Sequence, residues 1–340
     1  MRGTALRWWI MALAAATTPA CDNVHWGGVD MHLQAPPARD SLLSVEHVAE
    51  AEEAPVVPSL PEGAILFSGS RDGATGSLIA VGEVRGDIVA PLPTDDDVPG
   101  FRRHFIEERL SPGTELILFS EGVRVGRLTV AEEAPDEAYC GAPPRVSGVV
   151  ELVPAAAAAR NFLALDVTHA GDAAYARYRP LRHTYDQRVA SLRLATKAIP
   201  RVGATWPPSL LETRREIRAF QLIDASAPSI AATFIVGDQL RVGPAPPRSY
   251  AMFLMAHREA DRYLTDFVWY RPADREGKGE PRYVDQLDWD GDGRAEVLLE
   301  VLGSESRWFA GLARRGNRWV RAFENSCGTP SGPVASLPGA

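Results

Sequence analysis

A short acidic segment near the C-terminal end constrains the fold of this chain more than any other feature. The segment DWDGDGRAE is followed at once by an apolar run, and its carboxylates are those of Asp288, Asp290, Asp292 and Glu296. Ca²⁺ prefers six to eight oxygen ligands, which carboxylates on a tightly turned loop supply, and Gly293 allows the sharp turn. Like charges this close repel one another, which favours a neutralising cation. The pattern therefore predicts a Ca²⁺ site to which Arg294 adds its backbone carbonyl oxygen; an acidic surface turn without an ion is the alternative.

The surroundings of this segment separate it from an EF-hand loop. An EF-hand has a bidentate Glu at position 12, where this chain has Leu299, and an exit helix, where Val297–Leu302 is typical of a buried strand. A DxDxDGxxE loop that runs straight into a strand resembles the calcium loops of FG-GAP and VCBS repeats, as in integrin-like β-propellers. Because the motif occurs once, the resemblance implies an ion site and not a whole propeller. The ligands that it implies are Asp288, Asp290, Asp292 and Glu296 through their side chains and Arg294 through its carbonyl.

The N-terminal segment is typical of an export signal. Arg2 and Arg7 precede the apolar run Trp8–Ala16, and small residues then lead to Cys21. The run is shorter than the roughly 20 apolar residues that a membrane span needs. A cysteine at the cleavage point resembles the lipobox of bacterial lipoproteins, although Thr18 stands where that family usually has Leu. The resemblance implies a lipid on Cys21 that anchors the protein to a bacterial membrane, with its body facing the periplasm or the exterior; cleavage by the ordinary signal peptidase is the alternative.

The cysteine count is relevant to both expectations. The chain has three cysteines, and an exported protein rarely keeps an odd free thiol. If Cys21 carries the lipid, Cys140 and Cys327 remain as one pair, which an oxidising compartment favours as a disulfide. Two unpaired thiols too far apart to bridge are the alternative.

Composition divides the chain into a tether and a globular body. Pro, Ala and acidic residues without periodicity follow Cys21 and are typical of a linker. The rest has an ordinary globular composition, since the whole chain is 45% hydrophobic and 24% charged. The predicted ranges are a signal peptide at 1–20, a lipid-anchored disordered tether at 21–61, a β-rich domain with one short helix at 62–154, a mixed helical connector at 155–219, an antiparallel β domain with the calcium loop at 220–328 and a disordered tail at 329–340.

The body is predicted to be mainly β with a minor α component. Short apolar runs between polar turns are typical of strands, and Glu121-Gly122 between two such runs predicts a hairpin in the N-terminal β-rich block. The short helical middle contains His183–Ile199 and a second helix over Ser209–Ile217, capped by Ser209. The C-terminal part is predicted as an antiparallel β-meander that carries the DxDxDGxxE loop, and a sandwich, a barrel and a partial propeller all fit its pattern. The expected strands of the meander are Phe220–Ile223, Ile230–Val236, Tyr250–His257, Arg262–Tyr270, Ala295–Leu302, Trp308–Arg314 and Arg318–Phe323.

Sequence patterns of catalysis are absent. The chain has no GxSxG elbow, HExxH, Walker loop or GxGxxG, and its seven histidines are scattered. No catalytic or organic-cofactor residue is therefore predicted, and the net charge of -8 predicts no nucleic-acid partner.

Two functions fit these features. The first is an exported, non-catalytic lipoprotein of the cell envelope, whose calcium-stabilised β domain binds a protein or glycan partner or holds structure. The alternative is an envelope hydrolase that acts on glycan or peptide through carboxylates without a short signature. The first function predicts that EDTA lowers the melting temperature and that no compact polar cleft exists. The hydrolase requires a deep pocket that holds at least two carboxylates, or an acid and a histidine, away from the acidic loop.

Overall fold

The computed structural model describes residues 58–136, 138–171, 178–223 and 225–327, and this part of the chain is mainly β, as predicted. Its strands are β1 (Ile65–Asp72), β2 (Thr75–Arg85), β3 (Ile88–Ala90), β4 (Glu115–Ser120), β5 (Val123–Glu133), β6 (Arg145–Leu152), β7 (Asn161–Asp166), β8 (Arg214–Phe220), β9 (Ser229–Val236), β10 (Tyr250–Glu259), β11 (Arg262–Pro272), β12 (Glu280–Leu287), β13 (Glu296–Leu302), β14 (Arg307–Arg315) and β15 (Arg318–Glu324). Its α-helices are α1 (Phe101–Arg109), α2 (Tyr185–Arg201) and α3 (Leu210–Thr213). Within these residues no helix combines the length and the apolar character that crossing a membrane requires. The predicted signal peptide, Cys21, nearly all of the tether and the predicted tail lie outside the described residues.

The first seven strands form a sheet that closes on itself. Its order is β1-β7-β4-β5-β6-β2-β3, and an additional antiparallel pairing of β1 with β2 completes a ring of six strands. Alternate side chains fill the interior, where α1 contributes Phe101 and Phe105 beside Phe67. Gly126 lets the strands come close, because a Cβ at this position would lie 2.0 Å from the carbonyl oxygen of Glu151.

The last eight strands form a sandwich. One four-stranded sheet has the order β11-β10-β9-β8 and the other β12-β13-β14-β15, and all neighbours are antiparallel. The core between the sheets includes Phe253 and Trp269 from the first and Val297, Leu299 and Trp308 from the second. The predicted meander with its acidic loop is therefore confirmed, and it folds as a sandwich.

Both outer faces of the sandwich are covered. On one side, Leu194 and Ala198 of α2 pack against the β8–β11 sheet. On the other side, the outer surface of the closed sheet packs against the β12–β15 sheet, with Leu66 and Phe119 in one apolar cluster with Leu298. All seven residues of β13 are buried, which explains why its sequence is a nearly continuous apolar run.

Three local predictions were wrong. The strand expected over Phe220–Ile223 lies at Arg214–Phe220 instead, where β8 pairs with β9, and the chain leaves the sheet after Phe220. The helix expected over Ser209–Ile217 ends at Thr213, because β8 starts at Arg214 and pairs with β9, although Ser209 does accept a hydrogen bond from the amide of Glu212. Strand β12 was not predicted, since charged and polar residues interrupt its apolar positions. The segment 155–219 supplies β7 to the closed sheet, α2 to the outer layer and most of β8 to the sandwich.

The predicted disulfide between Cys140 and Cys327 is confirmed. The two Cα atoms are 5.8 Å apart, in the usual range for a bridged pair. Cys140 precedes β6 of the closed sheet and Cys327 follows the last strand of the sandwich. The bond therefore links segments 187 residues apart in sequence.

Removing this bond is predicted to destabilise the protein without changing its fold. A cross-link over so long a loop restricts the unfolded chain, so the double variant Cys140→Ser/Cys327→Ser should lose about 2 to 5 kcal/mol of unfolding free energy. Urea denaturation of the variant and of the oxidised and reduced wild type measures the loss. Three coincident denaturation curves would contradict the prediction.

Candidate functional site

The acidic loop joins the two neighbouring strands β12 and β13 of the second sheet. Leu287, the last residue of β12, pairs with Glu296, the first of β13. The loop brings one carboxylate oxygen from each of Asp288, Asp290 and Glu296 within 4.8 Å of one another. Three of the four predicted side-chain ligands therefore converge at the base of a hairpin.

Backbone hydrogen bonds fix the shape of the loop. Asp288 accepts from the amides of Gly291 and Gly293, at 2.8 and 2.9 Å through its two oxygens. Asp290 Oδ1 accepts from the amide of Asp292 at 3.1 Å. Gly291 and Gly293 have φ angles of 78° and 86°, which glycine adopts more readily than other residues. The turn thus holds its carboxylates together through bonds to its own backbone.

The predicted ligands Asp292 and Arg294 are not part of this group of three. Asp292 Oδ1 accepts a hydrogen bond from the amide of Arg294 at 2.8 Å, and both residues are exposed. The participation of the Asp292 side chain and of the Arg294 carbonyl in metal binding therefore stays a prediction.

Trp289 anchors the loop to the body of the protein. Its side chain is 4% exposed and belongs to the apolar cluster between the closed sheet and the sandwich. Its amide donates to Glu296 Oε2 at 3.2 Å. The position of the carboxylates is therefore tied to the packing of the layers.

Burial and repulsion by neighbouring carboxylates raise the pKa values of Glu296 and Asp290. Burial, with the charges of Asp290 and Asp288 adding to it, raises the pKa of Glu296 to about 8. Burial also raises the pKa of Asp290, and the charges of Asp292, Asp288 and Asp87 act in the same direction. Ionisation of Glu296 and Asp290 is therefore costly beside the neighbouring charges, and a bound cation would reduce that cost.

The two glutamates of β13 differ in their charged partners. Glu296 and Glu300 lie on the same face of the strand and are each at most 3% exposed. Glu300 forms ion pairs with Arg282 and Arg307. Glu296 forms no ion pair with an arginine or lysine among the described residues. The donor set around Glu296 consists of carboxylate oxygens, which suit a hard divalent cation.

A second feature is a polar cleft between the closed sheet and the sandwich. It has a volume of about 250 Å³, and hydroxyl and charged side chains dominate its lining. The charged lining residues are Arg145, Arg218, Arg282, Arg307, Asp136, Glu216 and Glu300. Sequence reasoning missed this cleft because its residues come from distant segments and share no motif.

Ion pairs organise the cleft. Glu300 contacts Arg282, accepts from the Tyr139 hydroxyl and lies 3.5 Å from Arg307. Asp136 lies 3.3 Å from Arg145 and 3.6 Å from Arg307. Burial and the charge of Glu300 raise the pKa of Tyr139. Four guanidinium groups face three carboxylates in the lining, so the cleft has a formal excess of positive charge.

A pair of acids, with Asp285 buried and Glu121 half-buried, lies where the β4–β5 turn meets β12. The amide of Glu121 donates to both carboxylate oxygens of Asp285, at 3.1 and 3.0 Å, and Asp285 is 5% exposed. Burial raises the pKa of Glu121 to about 7, and Arg218 opposes the shift. Burial and the charge of Glu121 raise the pKa of Asp285 well above its usual range. The pair is therefore stable while it holds protons and is strained when both groups ionise.

Glu121→Gln is predicted to flatten part of the pH dependence of stability. The folded-state pKa of Glu121 is higher than its unfolded value, so its protonated form stabilises the fold below about pH 4.5, and that stability is lost as the pH rises through 7. The variant should equal the wild type near pH 4.5 and exceed it at pH 8 by about 2 to 3 kcal/mol. Denaturant titrations between pH 4.5 and pH 8 measure the difference in unfolding free energy between the variant and the wild type. Glu107→Gln, at an exposed position, is the matched control. A difference that does not depend on pH would contradict the assignment.

The chain thus offers two candidate features: an oxygen-rich loop that suits a cation, and a polar cleft with paired charges. Comparison of the chain with protein-family models, with curated proteins and with solved structures finds no match.

Proposed function

We propose that this protein is an exported bacterial lipoprotein of the cell envelope, non-catalytic, whose β-sandwich is stabilised by calcium and serves a binding or structural role. One observation carries the proposal: Asp288, Asp290 and Glu296 bring their carboxylate oxygens within 4.8 Å of one another on the hairpin loop. Exposed acidic groups commonly lie near one another without an ion. Here Glu296 is only 3% exposed, so its charge is not solvated as it would be on the surface, and a bound cation would neutralise it.

Calcium fits this donor set better than other common metals. All contributing groups are oxygens, and the loop contains no histidine or cysteine that would favour zinc. Mg²⁺ demands near-ideal octahedral geometry, whereas Ca²⁺ accepts the irregular geometry of a short loop. Asp288, Asp290 and Glu296 would hold the ion, with Asp292 and the Arg294 carbonyl as the further predicted ligands.

The role of the ion would be structural. The loop connects two strands of the sandwich, and Trp289 fastens it beneath the closed sheet. Asp87, in the turn between β2 and β3 of the closed sheet, is near enough for its charge to raise the pKa of Asp290. A cation here would therefore reduce repulsion between carboxylates of two layers and favour their packing.

Location in the envelope is supported by the sequence and by the disulfide. The export signal and the lipobox-like Cys21 predict a lipid anchor, and the Cys140–Cys327 bond is typical of an oxidising compartment. The partners that we propose are the membrane, through the lipid on Cys21, and a protein or glycan, with no nucleic acid.

The polar cleft is relevant to the alternative function, because the non-catalytic function was expected to lack a compact polar cleft. It contains the carboxylates that the alternative envelope hydrolase requires, away from the acidic loop. Asp136, Glu216 and Glu300 are each paired with an arginine, with Glu216 lying 3.2 Å from Arg218. These arginine contacts engage carboxylate oxygens that a general acid would need for its substrate, so binding stays the proposed role. Release of sugars or peptides from envelope polymers, lost in Glu216→Gln, would favour the hydrolase.

Calcium is predicted to stabilise the wild type and not Asp290→Asn. At about 10 mM Ca²⁺ and an affinity of about 10⁻⁴ to 10⁻³ M, the unfolding free energy should rise by about 1 to 3 kcal/mol. Asp290→Asn removes one like charge, so in EDTA this variant should be more stable than the wild type, yet calcium should add nothing. Thermal melts in EDTA, Mg²⁺ and Ca²⁺ measure both effects.

Two further variants sharpen this experiment. The exposed Asp261→Asn, in the turn between β10 and β11, should keep the full response to calcium. Asp292→Asn tests the fourth predicted ligand, and a reduced response would assign its side chain to the ion. Identical wild-type melts in EDTA and in calcium would contradict the proposed site.

The lipid anchor has its own test. Bacteria that express the full chain and are fed a labelled fatty acid should incorporate the label into the wild type and not into Cys21→Ser. Cys140→Ser is the matched control, because it removes a cysteine that the proposal assigns to the disulfide. Equal labelling of Cys21→Ser and the wild type, or no label in either, would contradict lipidation at Cys21.

A further inference from the structure

Three ionisable side chains meet in the interior at one edge of the sandwich. Lys278 Nζ lies 2.8 Å from Asp238 Oδ2 and 3.2 Å from Glu280 Oε2. The three side chains are 3%, 7% and 3% exposed, in the order Lys278, Asp238 and Glu280. A buried ammonium group with two carboxylates is costly to desolvate, which makes this cluster unusual if its role is only to stabilise the fold.

The choice of lysine at this position is informative. Of 36 basic residues only Lys197 and Lys278 are lysines, and Lys197 is exposed on α2. Arginine is used even where the cation is buried, as at Arg271. A guanidinium remains protonated in proteins, whereas an amine can lose its proton and act as a nucleophile. Lys278 thus brings a reactivity that the usual basic residue of this chain would not.

The two carboxyl groups differ in their environment. Burial raises the pKa of Glu280 to about 7, which suits a group that takes up and releases protons near neutral pH. Burial also acts on Asp238, but the hydrogen bond from Lys278 lowers its pKa. Asp238 therefore pairs directly with the ammonium group, and Glu280 lies beside both as a proton acceptor.

We propose that Lys278 and Asp238 form an intramolecular amide bond, with Glu280 as the proton relay. The Nζ atom is within hydrogen-bond distance of a carboxylate oxygen whose carbon is one bond further, so the reacting groups are already in place. The three side chains are at most 7% exposed, which limits their contact with bulk water, and bulk water favours the separated amine and acid.

The reaction balances without an oxidant or a co-substrate. An ammonium and a carboxylate contain the atoms of one amide and one water molecule. Nζ gives one proton to Glu280 and attacks the Asp238 carboxyl carbon as the amine, forming the C–N bond. Glu280 and the attacking nitrogen then supply the two protons with which one Asp238 oxygen leaves as water. Glu280 ends in the protonation state in which it began.

The bond would join the two sheets of the sandwich. Asp238 follows β9 in one sheet, and Lys278 precedes β12 in the other, 40 residues later. It would be a second covalent link besides the disulfide, insensitive to reducing agents, and it does not depend on calcium. The proposed bond is therefore independent of the proposed function, and either can be wrong without the other.

Peptide mass spectrometry of the denatured, trypsin-digested wild type tests the bond. An amide on Lys278 blocks cleavage after it, so residues 219–241 and 276–282 should appear as one branched species, lighter by one water than the two peptides together. Cleavage after Lys278 and free peptides throughout would overturn the proposal. A branch at any carboxyl group other than Asp238 would overturn the assignment of the electrophile.

Matched variants test the roles of the three residues. Lys278→Arg keeps the positive charge and Asp238→Ala removes the electrophile, so neither should give the branched species. Glu280→Gln keeps both reacting groups and should lose most of the branched species while circular dichroism shows a folded protein. Undiminished cross-linking in folded Glu280→Gln would overturn the relay. If the Gln variant does not fold, Glu280→Asp, which keeps a carboxyl group, should restore cross-linking, and its failure in folded protein would also overturn the relay.

Discussion

Burial of β13 on both faces is the constraint on which the rest of the structure depends. Its odd-numbered residues pack into the sandwich, and its even-numbered residues face the closed sheet. The second face contains Glu296 and Glu300, so two carboxylates lie in the layer between the sheets. Each must be neutralised there, because an unpaired buried charge costs several kcal/mol. The groups that neutralise these two glutamates therefore form the polar cleft and the acidic loop.

The two glutamates meet this requirement in different ways. Glu300 gathers Arg282, Arg307 and the Tyr139 hydroxyl, and this network forms one wall of the polar cleft. Glu296 instead lies with Asp288 and Asp290 at the base of the hairpin loop, where a cation is the natural complement. Glu296 and Glu300 are four residues apart on β13 and both bury a carboxylate. Arginines neutralise the one in the polar cleft, and we propose that calcium neutralises the other.

How far the sequence predicted this structure depends on how local each feature is. The acidic loop, the β13 strand and the capped helix α2 are specified by residues within one short segment, and their positions were predicted within a few residues. Strand β12 was missed because Arg282, Gln286 and Asp285 are buried or half-buried through partners that are distant in sequence. The cleft and the Lys278 cluster were missed for the same reason, since each assembles only when separate sheets pack. The sequence contains only the lysines Lys197 and Lys278, and only the fold shows that Lys278 is buried between two carboxylates.

Luminescence of Tb³⁺, an analogue of Ca²⁺ that also prefers oxygen ligands, tests the central claim most directly, because Trp289 lies within the loop itself. Excitation of tryptophan should give saturable Tb³⁺ emission that calcium displaces, that Trp289→Phe strongly reduces and that Asp290→Asn abolishes. Emission that does not saturate, or that is the same in Asp290→Asn as in the wild type, would contradict a metal site formed by the carboxylates of this hairpin.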